Sequence, residues 1–203
     1  MKNLKNRVIS FLLIGVVLIL SYFYSHVDES TCIYNVDADM STYISTGTLS
    51  EGEELSQTFV AQNESIDEIK VKVDLQGDIR NVILQYTLLD EKFNEVYHGE
   101  IAASELKNQE FNVLKMNHME HTKGKTYTLV FKEQNSDVQN GVSFWLTPGR
   151  QNGKELIIKG NSTDAELVAE SIGNHFDIET YLVLLGMITF IVVFMKVLYK
   201  MFK

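Results

Sequence analysis

Two histidines spaced three residues apart are the first side chains whose types suggest chemistry. His118 and His121 flank Met119 and Glu120, so two imidazoles and one carboxylate fall within one short segment. A zinc site needs a further protein ligand, and no H-E-x-x-H pattern supplies one. We therefore predict ordinary exposed histidines in the polar turn before the strand at Tyr127. His118 and His121 remain the candidate metal ligands of the sequence.

Aromatic side chains are the second kind of candidate, because a sugar ring stacks its C–H face on an exposed aromatic plane. Trp145, Tyr97 and Tyr43 are the candidate ligand-binding residues. In the segment 142–146, Phe144 and Trp145 point to opposite sides of a strand, so one of them is predicted to be exposed. The competing interpretation is that Trp145 packs in the core or at its rim.

Motifs of the common enzyme classes are missing from the sequence. There is no G-x-x-x-x-G-K-[ST] phosphate loop, no G-x-G-x-x-G and no G-x-S-x-G nucleophile elbow. Asp37 and Asp39 are suitably spaced for calcium but lack the rest of an EF-hand pattern. We predict no catalytic residue and expect a protein that is not an enzyme.

The charges of the chain are strongly segregated. All 27 acidic residues lie between Asp28 and Glu179, together with only 12 of the 18 basic ones, which gives that block a net charge of −15. Such a block makes nucleic acid an improbable partner and repels polyanions in general unless a divalent cation bridges them. The basic residues outside the block sit at the two ends of the chain.

The first of two apolar segments that could cross a membrane covers residues 8–24. It carries no charge and ends in three aromatic residues, where rings favour the membrane interface. Lys2, Lys5 and Arg7 precede it, so residues 1–7 are predicted to be cytoplasmic. A cleaved signal peptide is the alternative, but the run is long and lacks a small-residue cleavage site, which favours a retained anchor.

The second apolar segment covers residues 180–199, with Lys196 near its end, where a long side chain can reach the headgroups. Lys200 and Lys203 follow, so residues 200–203 are also predicted to be cytoplasmic. Two crossings then place the middle block outside the cell, in a two-pass plasma-membrane protein. Neither span has an ionisable residue in its interior, which argues against a carrier or channel.

The middle block has the pattern of an antiparallel β-sandwich or jelly roll. Short segments alternate polar and apolar residues with a period of two and are separated by polar turns. The segments are 55–61, 66–75, 82–89, 95–102, 111–116, 126–132, 142–146 and 155–159. We assign residues 25–54 as a connector with a first strand around 33–36, residues 55–173 as the sandwich, and 174–179 as a second connector. Residues 163–172 fit either a helix or a strand.

The order of these segments resembles a carbohydrate-binding-module-like sandwich domain of bacterial membrane proteins and envelope glycosyltransferase-type machinery. The similar stretches are Leu55-Ser-Gln-Thr-Phe59, Leu88-Leu-Asp-Glu-Lys-Phe-Asn-Glu-Val96, Gly124-Lys-Thr-Tyr-Thr-Leu129 and Glu155-Leu-Ile-Ile-Lys-Gly160 with Ala165-Glu-Leu167. The resemblance implies a strand over residues 165–172 and allows a structural calcium ion without locating it. Asn94 departs from it, because the family has glycine there.

The sequence therefore predicts a membrane protein that displays an acidic sandwich at the bacterial envelope. Its expected role is to bind a glycan or a partner protein next to the lipid bilayer. An accessory or sensor subunit of a larger membrane complex for polysaccharide assembly is the alternative, and an extracytoplasmic hydrolase ranks third. Cys32 is the single cysteine; it either forms an intermolecular disulfide or stays a free, buried thiol.

Overall fold

The protein divides into two compact units. The computed structural model describes residues 2–151 and 154–202. One unit is Glu29–Gly173, and the other combines the chain up to Asp28 with the chain from Asn174 onward. The strands dominate the first unit and the helices the second, as expected for an all-β domain with an apolar helix on each side in sequence.

Thirteen strands and two long helices make up the described chain. The helices are α1 (Lys2–Tyr24) and α2 (Ile178–Met201). The strands are β1 (His26–Cys32), β2 (Ile44–Thr48), β3 (Glu54–Val60), β4 (Ser65–Gln76), β5 (Ile83–Leu89), β6 (Glu95–Ala102), β7 (Phe111–Glu120), β8 (Thr126–Gln134), β9 (Gly141–Pro148), β10 (Glu155–Ile158), β11 (Asn161–Thr163), β12 (Ala165–Leu167) and β13 (Ala169–Phe176). Two single 3₁₀ turns, Met40–Thr42 and Ala103–Glu105, complete the described elements.

The strands form two sheets. The seven-stranded sheet has the order β1-β13-β4-β9-β12, with β2 also paired to β9 and β7 to β4. The six-stranded sheet has the order β11-β10-β3-β8-β5-β6. The described strand pairs among β2 to β13 are all antiparallel, which confirms the predicted sandwich class.

The core consists of the inward-facing residues of the two sheets. On β4, Ile69, Val71 and Val73 are completely buried and alternate with half-buried polar residues. Phe131 of β8 and Phe144 of β9 meet across the sandwich with ring centroids 4.7 Å apart. Burying such a side chain contributes about 2–3 kcal/mol, so this alternation fixes which face of each strand looks outward.

Three sequence predictions need correction within the sandwich unit and its connector. The predicted first strand at residues 33–36 is wrong: those residues bend, and the first strand is β1, directly after α1. The connector 25–54 also contains β2. His118 does not lie in a turn, because β7 continues to Glu120 by pairing with the beginning of β4. His121 does lie in the turn, with φ 56°.

In the segment 163–172, left open between helix and strand, Thr163 ends β11 and residues 165–172 form β12 and the beginning of β13. The two strands are separated by Val168, which is buried. Its backbone N–H donates to the Trp145 carbonyl oxygen at 2.8 Å, and its carbonyl accepts from the Lys72 N–H at 3.0 Å. Val168 therefore joins β9 to β4 at the point where these strands stop pairing with each other, and it fixes the spacing of Trp145 and Lys72.

One candidate membrane span is found where two were predicted. In the part of the chain that the structure describes, α2 is the helix long and apolar enough to cross a membrane, and Ile14–Tyr24 is a shorter apolar helix. The predicted first span, residues 8–24, begins in α1 at residues whose side chains lie outside the described part. The predicted second span, 180–199, lies wholly within α2.

Candidate functional site

The outer face of the seven-stranded sheet carries Trp145. Phe144 is fully buried in the core, so Trp145, the next residue of β9, points to the outer face, where it is half-buried. The ammonium nitrogen of Lys72 lies 5.3 Å from the centroid of the indole ring. The indole N–H is buried and has no hydrogen-bond partner among the described residues. Trp145 is thus neither a core residue nor a freely exposed plane.

The other two candidate aromatic residues occupy different places. Tyr97 of β6 points toward the core and stacks on Tyr86 with centroids 5.9 Å apart. Tyr43 immediately precedes β2 and contacts Tyr34 edge to face at 6.4 Å. Ser45, two residues beyond Tyr43, pairs with Trp145 across the sheet. The structure therefore brings Tyr43 to the strand beside Trp145 and places Tyr97 in the opposite sheet.

His118, one of the two candidate metal ligands, lies between two carboxylates. His118 Nδ1 lies 2.6 Å from Asp67 Oδ1, and its Nε2 lies 3.3 Å from Glu120 Oε1. The hydrogen bond with Asp67, followed by that with Glu120, raises the pKa of His118. Within the described residues, no group of three or more His, Cys, Asp or Glu side chains could hold a metal ion. The arrangement is an exposed imidazole between two carboxylates.

The outer face of the six-stranded sheet forms an open groove of about 540 Å³, here called the polar groove. Hydroxyl, amide, imidazole and charged groups line most of it. The lining residues are Glu54, Ser56, Gln85, Thr87, Leu89, Phe93, Glu95, His98, Thr128, Val130 and Lys132. They come from β3, β8, β5 and β6 and from the turn between β5 and β6, so four neighbouring strands position the groove.

Hydrogen bonds within this face order its side chains. Thr87 Oγ1 lies 3.0 Å from His98 Nδ1, and Gln85 donates to Glu100 at 2.5 Å. The Thr128 hydroxyl group forms a hydrogen bond with the Thr58 hydroxyl group of β3, and Lys132 Nζ lies 3.1 Å from Glu54. Each hydroxyl can donate and accept, so the groove offers both kinds of partner to a polyhydroxylated ligand.

The turn between β5 and β6 places an exposed ring at the groove. The Asp90 carboxylate accepts from the backbone N–H groups of Lys92 at 2.8 Å and Asn94 at 2.9 Å. Phe93, between them, has φ 62° and is 75% exposed. The left-handed residue of this turn is therefore Phe93 and not Asn94. An Asp carboxylate that bonds nearby backbone N–H groups can stabilise such a turn.

A buried carboxylate that the sequence did not single out joins the two sheets. Glu133 of β8 is 2% exposed, and its two oxygens accept from the backbone N–H groups of Leu49 at 3.2 Å and Val142 at 2.9 Å. Burial raises the pKa of Glu133 to about 7, against the lowering effect of these hydrogen bonds. The sequence carried one signal of this burial. Glu133 is in phase with Phe131 on β8, so both side chains point to the core side.

Cys32 is half-buried at the end of β1. Burial is the main reason that its pKa is raised, and the charge of Glu170 adds to this effect. A thiol with a raised pKa is less nucleophilic at neutral pH, since the thiolate is the reactive form. The structure describes a single chain, so the prediction of an intermolecular disulfide stays a prediction.

Comparisons with known proteins complete the description. No family model matches the sequence, and no curated protein is significantly similar to it. Among solved structures, the clostridial cysteine protease Cwp84 is similar over 74% of this chain and 40% of its own, with 9% identity and a TM-score of 0.47. A carbohydrate-binding module of the β-sandwich superfamily is similar over 71% and 57%, with 10% identity and a TM-score of 0.30.

The tailspike protein 4 of bacteriophage CBA120 is a third similar structure, over 74% of this chain and 18% of its own, with 12% identity and a TM-score of 0.32. The chain spans less than two thirds of the length of each of these proteins. A carbohydrate-binding-module sandwich is thus among the structural neighbours, without sequence support for a family. At these identities and TM-scores the likenesses say nothing about what this chain binds or does.

Proposed function

We propose that this protein is a membrane-anchored, non-enzymatic binding module that holds an extracytoplasmic glycan in the polar groove. The observation that carries the proposal is the set of paired hydroxyl, amide and imidazole groups on one open sheet face. Sugar hydroxyls both donate and accept hydrogen bonds, so they match mixed pairs such as Thr87–His98. Phe93, exposed at the groove, supplies an apolar surface for the C–H face of a ring.

The proposed anchor is two-pass, with both ends of the chain in the cytoplasm. It is supported by contacts within the helical unit, where α1 and α2 touch each other. The Asp177 N–H, just before α2, donates to the carbonyl oxygen of Ser25, just after α1, at 2.8 Å. Tyr22 of α1 stacks on Phe176 with centroids 5.3 Å apart. If α2 crosses the bilayer, these contacts hold the outer end of α1 at the same interface, where aromatic rings are favoured.

Glycan binding is tested on the full chain in lipid nanodiscs. The nanodisc-embedded protein is screened for binding to a glycan array, and the affinity of each hit is measured by titration calorimetry. Thr87→Val and His98→Ala each remove one partner of the Thr87–His98 pair and are expected to weaken binding by about tenfold, the effect of losing one or two hydrogen bonds. Lys123→Ala, an exposed change outside the groove, serves as the control and is expected to bind as the unmodified protein does.

Two results would overturn the proposal. One is that the folded, nanodisc-inserted protein binds no glycan of the array. The other is a glycan whose affinity is unchanged in Thr87→Val and His98→Ala, because it would then bind elsewhere on the molecule. A thermal unfolding midpoint equal to that of the unmodified protein shows that a variant which loses binding has kept its fold.

A further inference from the structure

The basic side chains of the acidic block fall into two groups. Seven of the twelve have a carboxylate oxygen within 4.0 Å: Arg80, Lys107, Lys123, Lys132, Arg150, Lys154 and Lys159. The other five form no such ion pair with any described residue: Lys70, Lys72, Lys92, Lys115 and Lys125. In a block with 27 carboxylates and 12 cationic groups, unpaired lysines are the unexpected ones.

Three of these unpaired lysines share one sheet face. Lys70 and Lys72 of β4 point outward, since Ile69, Val71 and Val73 between and beside them are buried. Directly opposed residues of antiparallel strands point to the same side. The register pairs Lys72 with Phe111, Lys70 with Val113, and Glu68 with Lys115. We call this outer surface of β4, β7 and β9 the lysine face.

An aromatic row crosses the lysine face at Lys72. Phe111 lies opposite Lys72 on β7 and is 36% exposed, and the Trp145 ring lies on the other side with the ammonium 5.3 Å from its centroid. The two backbone bonds of Val168 hold Trp145 and Lys72 at this spacing. The row therefore combines two ring planes with a cation that has no carboxylate partner among the described residues.

The carboxylates of the same face are already engaged or lie away from this row. Glu170 accepts from Ser30 at 2.8 Å, and Asp74 accepts from Gln109 at 3.4 Å. Glu68 lies two pairs further along β4, opposite Lys115. Glu170 lies directly opposite Lys70 on β13, and these three carboxylates balance Lys70, Lys72 and Lys115, so this part of the face repels an anion far less than the rest of the acidic block does.

We infer that the lysine face is a second binding site, specific for a carboxylate-bearing saccharide. The pyranose ring packs on the exposed Phe111 ring and against the half-buried Trp145, and its carboxylate forms an ion pair with the Lys72 ammonium between them, to which Lys70 adds attraction. The inference deepens the proposed glycan binding by naming an acidic sugar, and it rests on that function only in taking a saccharide. It does not involve the polar groove, which lies on the other sheet.

The single tryptophan of the chain makes this site directly observable. Since Trp145 is the only Trp, intrinsic tryptophan fluorescence reports the site without a label. The full chain in nanodiscs is titrated with trigalacturonate and, in a parallel arm, with its fully methyl-esterified neutral form. We expect trigalacturonate to change the emission with saturation, the neutral ester to bind at least tenfold more weakly, and the difference to shrink in high salt.

Lys72→Met keeps the apolar stem and removes the charge, so it is expected to reduce trigalacturonate affinity at least tenfold. Lys72→Arg is expected to restore most of it. Lys92→Met removes an equally unpaired lysine from the turn between β5 and β6 and is the matched control, expected to be neutral. A thermal unfolding midpoint close to that of the unmodified protein shows that the sheet of each variant is intact, whereas the ligand-free emission of Lys72→Met is itself expected to change because the ammonium beside the indole ring is removed.

Three outcomes would overturn the inference: equal binding of the acid and its ester, equal losses in Lys72→Met and Lys92→Met, or binding of trisulfated oligosaccharide with no response to the uronate. Failure here is distinguishable from failure of the proposed groove. Loss of groove binding appears in Thr87→Val and His98→Ala with unchanged Trp145 emission, whereas loss of the acidic-sugar site leaves groove ligands bound.

Discussion

Adjacent residues of one strand have different environments, because their side chains point to opposite faces of the sheet. Along β8, Glu133 points inward and Lys132 outward, so one position carries a buried carboxylate and the next an exposed ion pair with Glu54. The predicted strand ended at residue 132, and continuing its alternation by one residue gives the inward direction of Glu133. The alternation did not predict what each side chain meets, because the partners of Glu133, the Leu49 and Val142 N–H groups, are brought in by other strands.

The buried carboxylate of Glu133 makes stability depend on pH. Its pKa is raised from 4.5 to about 7 in the folded protein. Between these values the unfolded chain has already lost the proton that the folded chain still holds, so stability falls as pH rises from about 4.5 to about 7. The loss amounts to about 3 kcal/mol at about 1.4 kcal/mol per pKa unit.

Thermal unfolding of the full chain in nanodiscs across pH 5 to 8 measures this effect. Glu133→Gln removes the titrating group. The stability of the unmodified protein is therefore expected to decrease between pH 5 and 7 relative to the stability of Glu133→Gln. Glu51→Gln, which changes an exposed carboxylate, is the control and should leave the profile in place. A Glu133→Gln profile parallel to the unmodified one at all pH values would contradict the assignment.

At the scale of elements, strands with an uninterrupted apolar face were predicted best. The bounds of β6 agree with the sequence prediction, and those of β3, β4 and β5 agree within one residue at each end. β1, with the sequence HVDESTC, was missed because its polar residues show no clear alternation and its strand conformation depends on pairing with β13. The last residues of β7 were missed for the same reason, since their partners on β4 are more than 50 positions away.

Gly99 of β6 is needed for the close approach of two elements. A Cβ atom there would lie 2.4 Å from Tyr86 Cζ. The Tyr86 hydroxyl reaches across the sandwich and donates to the Lys115 carbonyl oxygen of β7 at 3.1 Å. Moving the ring therefore costs both ring contacts and this hydrogen bond.

Gly99→Ala is expected to lower the free energy of unfolding by about 1–3 kcal/mol, the usual cost of an overpacked site. Denaturant unfolding followed by Trp145 fluorescence measures the change. Glu100→Ala, one residue along on the outer face, is the comparison and should cost less, about 0.5 kcal/mol. Equal stability of Gly99→Ala and the unmodified protein would show that the Tyr86 ring is free to move.

At the scale of the whole molecule, the chain order places the sandwich between the two helices. α1 is followed by β1 after a single residue, Ser25, and β13 is followed by α2 after a single residue, Asp177. The segregation of charge, with basic residues at the two ends and the acidic block between them, is the sequence feature behind the proposed two-pass topology, which stays a prediction.

The proposed two-pass topology puts both ends of the chain inside and the sandwich outside. We expect epitope tags at both termini to resist protease in intact cells and to become accessible in inverted vesicles. Ser162→Cys in a Cys32→Ser background places one exposed thiol in the sandwich and is expected to react with a membrane-impermeant maleimide from outside. A cytoplasmic thiol would contradict the proposed orientation.

The amino-terminal tag separates the two interpretations of α1. A retained anchor keeps the tag on the mature protein, because the Ser25–Asp177 bond and the Tyr22–Phe176 stack need an intact α1 end. A cleaved signal peptide removes the tag and lowers the mass measured for the purified protein, leaving α2 as the single anchor. Asp177→Ala keeps the backbone N–H that donates to Ser25 but removes the carboxylate that accepts from the Glu179 N–H, so it is expected to weaken the start of α2 while leaving the tag in place.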